Sequence, residues 1–463
     1  MLLQKRLWVA FILITISLTA TGQSEESDSD GTTTESIFEE STKLPDSQIR
    51  NLESEPANLR GAQLIRIRLK NDEHKRVFKE LAQSKLINIW KHTRGPKSFA
   101  IFMVLQENVE KVHLQLFEAN IQPKIMAPDV QKLIDEENPA NTTIYSDSNS
   151  FRAGYTLNWD AYHRASVIHD FLDYYAANYA SLCTVKTIGK TFENRPIKLI
   201  KISAGGATKR PAIFIDGGIH AREWIAPATV SYIIKELVEN RSRYSSFANA
   251  IDFHIVPLLN VDGYEYTHTS DRLWRKNRAK TNSKCFGVDV NRNFGYKWGG
   301  VGASRSACSE VYRGPSAFSE LESKAIQDYI MSFNVGFFNA YFTIHSFGQW
   351  ILYPWGYAYS LPPDSAVLQQ VGDTAAAAIK ALSQTSYTVG NSAKLLYRAS
   401  GCSDDWAKAV PQIKYSYTVE LADQGTYGFI LPASYIKPTG EDLMALIRVF
   451  AEKILQTTNF KEP

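Results

Sequence analysis

The chain has 463 residues, 44% hydrophobic and 21% charged, enough apolar material for a large core and a second, smaller domain. A net charge of +3 is too small to argue for a nucleic-acid partner. Beyond the N-terminus no apolar run is long enough to cross a bilayer, so no membrane anchor is expected.

In chain order, Lys5 and Arg6 precede an apolar segment over residues 7–20 that ends at the small residues Ala20-Thr21-Gly22. That is the pattern of a cleaved signal peptide, residues 1–22, and it predicts a secreted, extracellular protein. Residues 23–58 are rich in Ser, Thr, Asp and Glu with almost no apolar content, an acidic leader that cannot offset the entropy of ordering. From Ala62, alternation at Ile65, Ile67 and Leu69 predicts a strand. A helix over 72–83, strands over 87–90 and 99–105, a helix over 107–118 and a strand over 121–125 follow. This is the split βαββαβ order of a ferredoxin-like α+β domain, placed at 59–137.

Residues 138–154 form a polar connector in which Arg152 is the only basic residue, so a trypsin-like protease is expected to cut after it. Asn141-Thr-Thr and Asn240-Arg-Ser are acceptors for N-glycosylation. From 155 to 463 helical and strand patterns alternate, as in an α/β domain whose mixed sheet is flanked by helices. Ser319-x-x-Glu322 and Thr439-x-x-Asp442 read as capping boxes that open two of those helices.

The chemistry gathers at one corner. An apolar strand, Ala212-Ile213-Phe214-Ile215, runs through two glycines into His220-Ala221-Arg222-Glu223, and a helix is predicted to begin at His220. Imidazole and carboxylate are both zinc ligands, but a catalytic zinc needs three from the protein and an open fourth position. His345, closing the apolar run 338–344, is the candidate for the third. Taken singly, either histidine reads more readily as a core histidine with its hydrogen bonds satisfied.

His220-Ala-Arg-Glu223 together with the distant His345-Ser346 resembles the metallocarboxypeptidases of the pancreatic A/B type, from about Tyr155 to the C-terminus, with a weaker likeness before it. The resemblance implies one Zn2+ per catalytic domain, held by His220, Glu223 and His345, and it makes 59–137 an activation prodomain. It implies that Asp289 accepts a hydrogen bond from the far nitrogen of His220. Arg275 would polarise the scissile carbonyl, a task for fixed positive charge where negative charge develops. Asn291 and Arg292 would grip the C-terminal carboxylate of the substrate, Arg222 and Arg275 would line its path, and Tyr397 would fold over it. Glu420, on a strand where Tyr415, Tyr417, Val419 and Leu421 face the other way, would be the general base that takes a proton from the attacking water.

In Ser403-Asp404-Asp405-Trp406 the family position of Asp404 floors the pocket for the departing side chain, and an aspartate there is the B-type form, for C-terminal Lys and Arg. The alternative is that Ser403 or Asp404 only caps a helix, and Asp405 is expected to be structural. Cys285 and Cys308 match the family disulfide, whereas Cys183 and Cys402 have no counterpart and either pair with each other or stay free. Phe347 and Ala422 depart from the family's tyrosine and arginine, which bears on subsites and on the placement of Glu420. The chain ends soon after its last predicted helix, which leaves no room for the extra β-domain of regulatory-type relatives. The expectation is a secreted, monomeric zymogen acting on peptide and protein C-termini. The alternatives are A-type specificity for hydrophobic residues, or a catalytically dead peptide-binding relative.

Overall fold

The structure, a computed structural model, describes residues 58–93, 98–138, 154–205 and 210–458. The expected signal peptide, the leader up to residue 57, Asn141 and Arg152 lie outside the described residues.

The N-terminal unit contains β1 (Gln63–Arg68), α1 (Asp72–Gln83), β2 (Asn88–His92), β3 (Phe99–Val104), α2 (Val109–Glu118), β4 (Lys124–Ala127) and α3 (Val130–Glu137). Its sheet order is β2-β3-β1-β4 and every pairing is antiparallel, the arrangement expected of the βαββαβ order. Helix α1 starts where expected because the Asn71 side chain accepts from His74 N at 2.9 Å. The fourth strand begins later than the predicted 121–125. Ile121 N bonds back to Leu116 O at 2.8 Å, so this residue finishes the turn that ends α2.

The larger unit has α4 (Ala165–Asn178), β5 (Cys183–Lys190), β6 (Pro196–Ile202), β7 (Ala212–Gly217), α5 (Ile225–Glu239), β8 (Asp252–Val256) and α6 (Val261–Thr269). It continues through α7 (Leu321–Met331), β9 (Phe338–Ser346), β10 (Trp350–Tyr353), α8 (Ser365–Ser383), β11 (Thr388–Asn391), α9 (Ser403–Ala409), β12 (Tyr415–Leu421) and α10 (Ile436–Thr458). Eight strands form one mixed sheet in the order β11-β10-β12-β9-β7-β8-β6-β5. The four contiguous strands β12, β9, β7 and β8 run parallel. Helices α4, α5, α8 and α10 bury one face against Ile213, Ile215, Phe342 and Tyr417. Helix α7 and Trp406 cover the other against Leu199, Phe214 and Tyr341. Two covered faces explain why these strands read as almost unbroken apolar runs.

Two local expectations are corrected. Helix α5 begins at Ile225, not at His220, because the intervening backbone is tied sideways: Ala221 N donates to Arg275 O at 3.0 Å. Pro227 then falls in the first turn, where its missing N–H costs nothing. Neither capping box forms. Helix α7 starts at Leu321, where Asn293 Oδ1 takes the Glu320 N–H at 3.0 Å, and α10 starts at Ile436, upstream of Thr439.

The two units share an apolar interface. Leu64, Trp90, Ile101 and Val130 of the first pack with Leu273, Phe347, Phe429 and Ile430 of the second.

Candidate active site

Strands β7, β9 and β12 end on the same edge, where open α/β sheets place their ligands. The register sets His345 directly opposite Glu420. His220 and Glu223 arrive from the turn between β7 and α5, which Gly218 opens with a φ of +67°, a conformation that glycine adopts without strain.

His220 Nδ1 lies 2.8 Å from Glu223 Oε1, His345 Nδ1 lies 3.1 Å from Glu223 Oε2, and the two Nδ1 atoms are 3.1 Å apart. One ligand atom from each residue lies within 4.8 Å of the others, and all three residues are buried. Two imidazole nitrogens and a carboxylate oxygen, converging and shielded from water, are the donor set of a catalytic zinc site. The far side of His220 supports this: Nε2 lies 3.2 Å from Asp289 Oδ1, which directs Nδ1 to the centre. Burial works against ionisation of Asp289, yet Arg275 and Arg292 hold its carboxyl well below the usual range. Arg275 grips Asp289 through Nη2 at 2.9 Å and Nε at 3.2 Å. Burial and the nearby Arg275 lower the pKa of His220, favouring the neutral, ligating ring.

A cavity of about 100 Å³ opens beside these groups and is lined also by Arg275, Asn291, Arg292, Tyr397, Asp404 and Glu420. The sheet puts Glu420 there because its strand neighbours Val419 and Leu421 point into the helical core. Burial pushes the Glu420 carboxyl up to about 7 against the pull of His345. Arg292 is braced by Gly302 O at 2.7 Å and Asn291 O at 2.9 Å, and Asn291 Oδ1 receives Ser403 N at 2.9 Å. Arg222 is not among the residues that line the cavity; it packs on Phe429, which does, with its guanidinium 4.1 Å from the ring centre. Asp404 and Asp405, adjacent in sequence, part company. Asp405 takes Gly356 N at 2.8 Å and Tyr357 N at 2.9 Å, while Asp404 lines the cavity and burial pushes its carboxyl up. Neither Ser403 nor Asp404 caps α9, whose N-terminal cap position is Cys402 with no side-chain bond.

Several residues at the cavity carry no signal in the sequence because they come from the N-terminal unit. Trp90 and Lys91 of β2 line it, with Lys91 Nζ 2.6 Å from Phe347 O and 3.5 Å from the centre of the Trp350 ring. His92 stacks on Tyr397, centroids 5.4 Å apart and planes 10° apart. Glu137, at the end of α3, forms a buried ion pair with Arg272, whose guanidinium also lies 3.8 Å from the centre of the Trp224 ring. Phe347 packs on Phe429 at 5.0 Å, filling part of the wall with apolar surface.

Cys285 and Cys308 form a disulfide with Cα atoms 5.1 Å apart, and Cys183 and Cys402 are free and buried. Asn240 follows α5, and its Nδ2 donates to Glu236 Oε1 at 2.6 Å. Among the described residues no helix is long and apolar enough to cross a membrane.

Comparison with known proteins agrees with this geometry. The zinc carboxypeptidase family profile matches residues 168–446, and that of the carboxypeptidase activation peptide matches 65–137. Carboxypeptidase B of Astacus astacus is 45% identical over 303 residues, 65% of this chain and 99% of the relative. Carboxypeptidase A1 of Bos taurus is 39% identical over 388 residues, 82% and 91% of the two chains. The crystal structure of the carboxypeptidase A from Helicoverpa armigera superposes with a TM-score of 0.78 at 31% identity, covering 87% of this chain and 99% of the other.

Proposed function

The chain belongs to the zinc carboxypeptidase family, and from that premise we propose that it is a secreted zymogen which, once cut within 138–154, removes single Lys or Arg residues from the C-termini of peptides and proteins. The observation that carries this reading is the convergence on one cavity of the His220, Glu223 and His345 donors, Glu420, Arg275, the Asn291 and Arg292 pair, and Asp404.

Zinc bound there supplies a Lewis acid and brings the pKa of water towards neutrality. Glu420 takes the proton of the attacking water and returns it to the leaving amine. Arg275, its charge fixed by the pair with Asp289, faces the oxygen on which negative charge develops. Arg292 and Asn291 hold the terminal carboxylate, and this grip makes the enzyme an exopeptidase. At the end of the pocket a buried carboxylate such as Asp404 is costly unless a cation meets it, so an arriving Lys or Arg side chain is both substrate and compensating charge. The N-terminal signal pattern supports secretion and the lone Arg152 supports a trypsin-like activator. A monomer, and glycans on Asn141 and Asn240, complete the reading.

The test is hydrolysis of matched peptides ending in Lys or Leu, before and after trypsin treatment. The expected result is negligible release before cutting and a strong preference for Lys after it. Preference for Leu would replace the B-type reading with the A-type one. No release from either peptide by a zinc-loaded, cut protein would favour a peptide-binding relative.

A further inference from the structure

Zinc ligands are held by what their other ring nitrogen touches, and the two histidines differ in this. His220 leans on Asp289 directly. Among the described residues no carboxylate bonds the far nitrogen of His345. Its Nε2 lies 3.1 Å from Thr343 Oγ1, two residues back on the same face of β9. That hydroxyl donates to Asp216 Oδ1 at 2.8 Å, and Asp216 is the directly paired neighbour of Thr343 on β7. All three side chains are buried.

A hydroxyl has one proton, and here the Asp216 carboxylate receives it. Thr343 Oγ1 therefore offers only lone pairs to His345, so Nε2 must carry the ring proton and Nδ1 is left free for the metal. Asn291 Nδ2, at 3.5 Å, is itself a donor and lies beyond ordinary hydrogen-bond length, so it cannot set this tautomer. We propose that Thr343 is a positioning residue for His345, fixing the tautomer and ring orientation that present Nδ1 to zinc, and that Asp216 sets the direction of the Thr343 hydroxyl. This rests on the ligand set His220, Glu223 and His345 of the proposed function.

The test uses the full-length chain and zinc itself as the probe, with affinity measured by competition against a chromophoric chelator. Thr343→Val removes the hydroxyl at nearly constant shape and is expected to weaken zinc by roughly 10- to 100-fold, the scale for losing a second partner of a ligating histidine. Thr343→Ser keeps the hydroxyl and is expected to stay within about 3-fold of wild type, a rescue that a purely steric role would not give. Loss of zinc by His345→Ala with unchanged affinity in Thr343→Val overturns the positioning role alone. Unchanged affinity in His345→Ala overturns the ligand set and the proposal with it. A measurement on the wild type guards against a variant that does not fold. In the zinc-loaded protein, nitrogen-15 NMR of labelled histidines should show Nδ1 of His345 on the metal and a proton on Nε2; Nε2 on the metal overturns the proposal.

Discussion

Glu420 is a carboxylate placed where ionising is difficult: it is buried, and Glu223 repels its charge while His345 and Lys91 favour it. In the intact precursor the balance brings its pKa to about 7. Glu420→Gln keeps the shape and removes the acceptor. The cut enzyme should then retain zinc and a KM near wild type, while kcat falls by roughly 10²- to 10⁴-fold; near-normal kcat would make Glu420 structural. Asp404 makes a different prediction. With Asp404→Ile, kcat/KM for a Lys-ending peptide relative to a Phe-ending one should drop by the equivalent of roughly 2 to 4 kcal/mol, the scale for removing one partner of a buried charge pair. Equal ratios in wild type and variant would remove Asp404 from the pocket's specificity. At this scale the sequence was most legible, because His220, Glu223 and His345 stand in a motif whose members the fold had only to bring together. Thr343 and Asp216 were not, since a threonine and an aspartate in buried strands carry no spacing that announces a partner on the next strand.

Elements were legible where their signal is periodic and obscure where it is supplied from elsewhere. The alternation in β12 set the face of Glu420 correctly, since Tyr415, Tyr417, Val419 and Leu421 do enter the helical core. Two helix starts lie where a better signal stands than the His220 corner or the Thr439 box, namely proline in the first turn. Pro227 follows the start of α5 by two residues, and Pro438 does the same in α10. The start of α7 could not be read locally at all, because the group that accepts the Glu320 N–H belongs to Asn293. Asp405 is the counterpart for α9: it fastens that helix to residues 356–357 by accepting two backbone N–H groups, that of Gly356 buried and that of Tyr357 half-buried. Asp405→Ala would leave both without a partner, at about 1–3 kcal/mol each, so the unfolding free energy should fall by roughly 2–5 kcal/mol. The check is denaturant unfolding beside Asp404→Ala, which orphans neither of those N–H groups. An Asp405→Ala protein as stable as wild type would remove the fastening role.

At the scale of the whole molecule, the activation segment is fastened to the catalytic unit by specific groups as well as bulk. Asn138 exchanges two hydrogen bonds with Tyr162, at 2.8 and 3.1 Å, Glu137 pairs with Arg272, and Trp90 packs 5.2 Å from the Phe429 ring. Lys91 reaches furthest. Burial lowers its pKa to about 8, yet Glu420 and Asp423 pull the other way, so the ammonium remains the main form at neutral pH. Its carbonyl partner, Phe347, is 256 residues away in sequence, which is why strand periodicity alone gave no hint of its placement. A cation held in the cavity beside the proposed base competes with the water that Glu420 must deprotonate. Removing it costs the docked state a charge-assisted hydrogen bond and a cation–π contact, together roughly 2 kcal/mol. By the arithmetic of a two-state equilibrium, Lys91→Ala should therefore raise the peptidase activity of the uncut precursor by roughly 30-fold, as long as the open state remains the minor one. The same substitution should leave the fully cut and purified enzyme unchanged, because Lys91 departs with the segment. Comparing kcat/KM on one Lys-ending peptide for the uncut and cut forms of both proteins separates the two effects. An uncut Lys91→Ala precursor as silent as wild type would show that the apolar interface and the Glu137 pair hold the cavity shut without it.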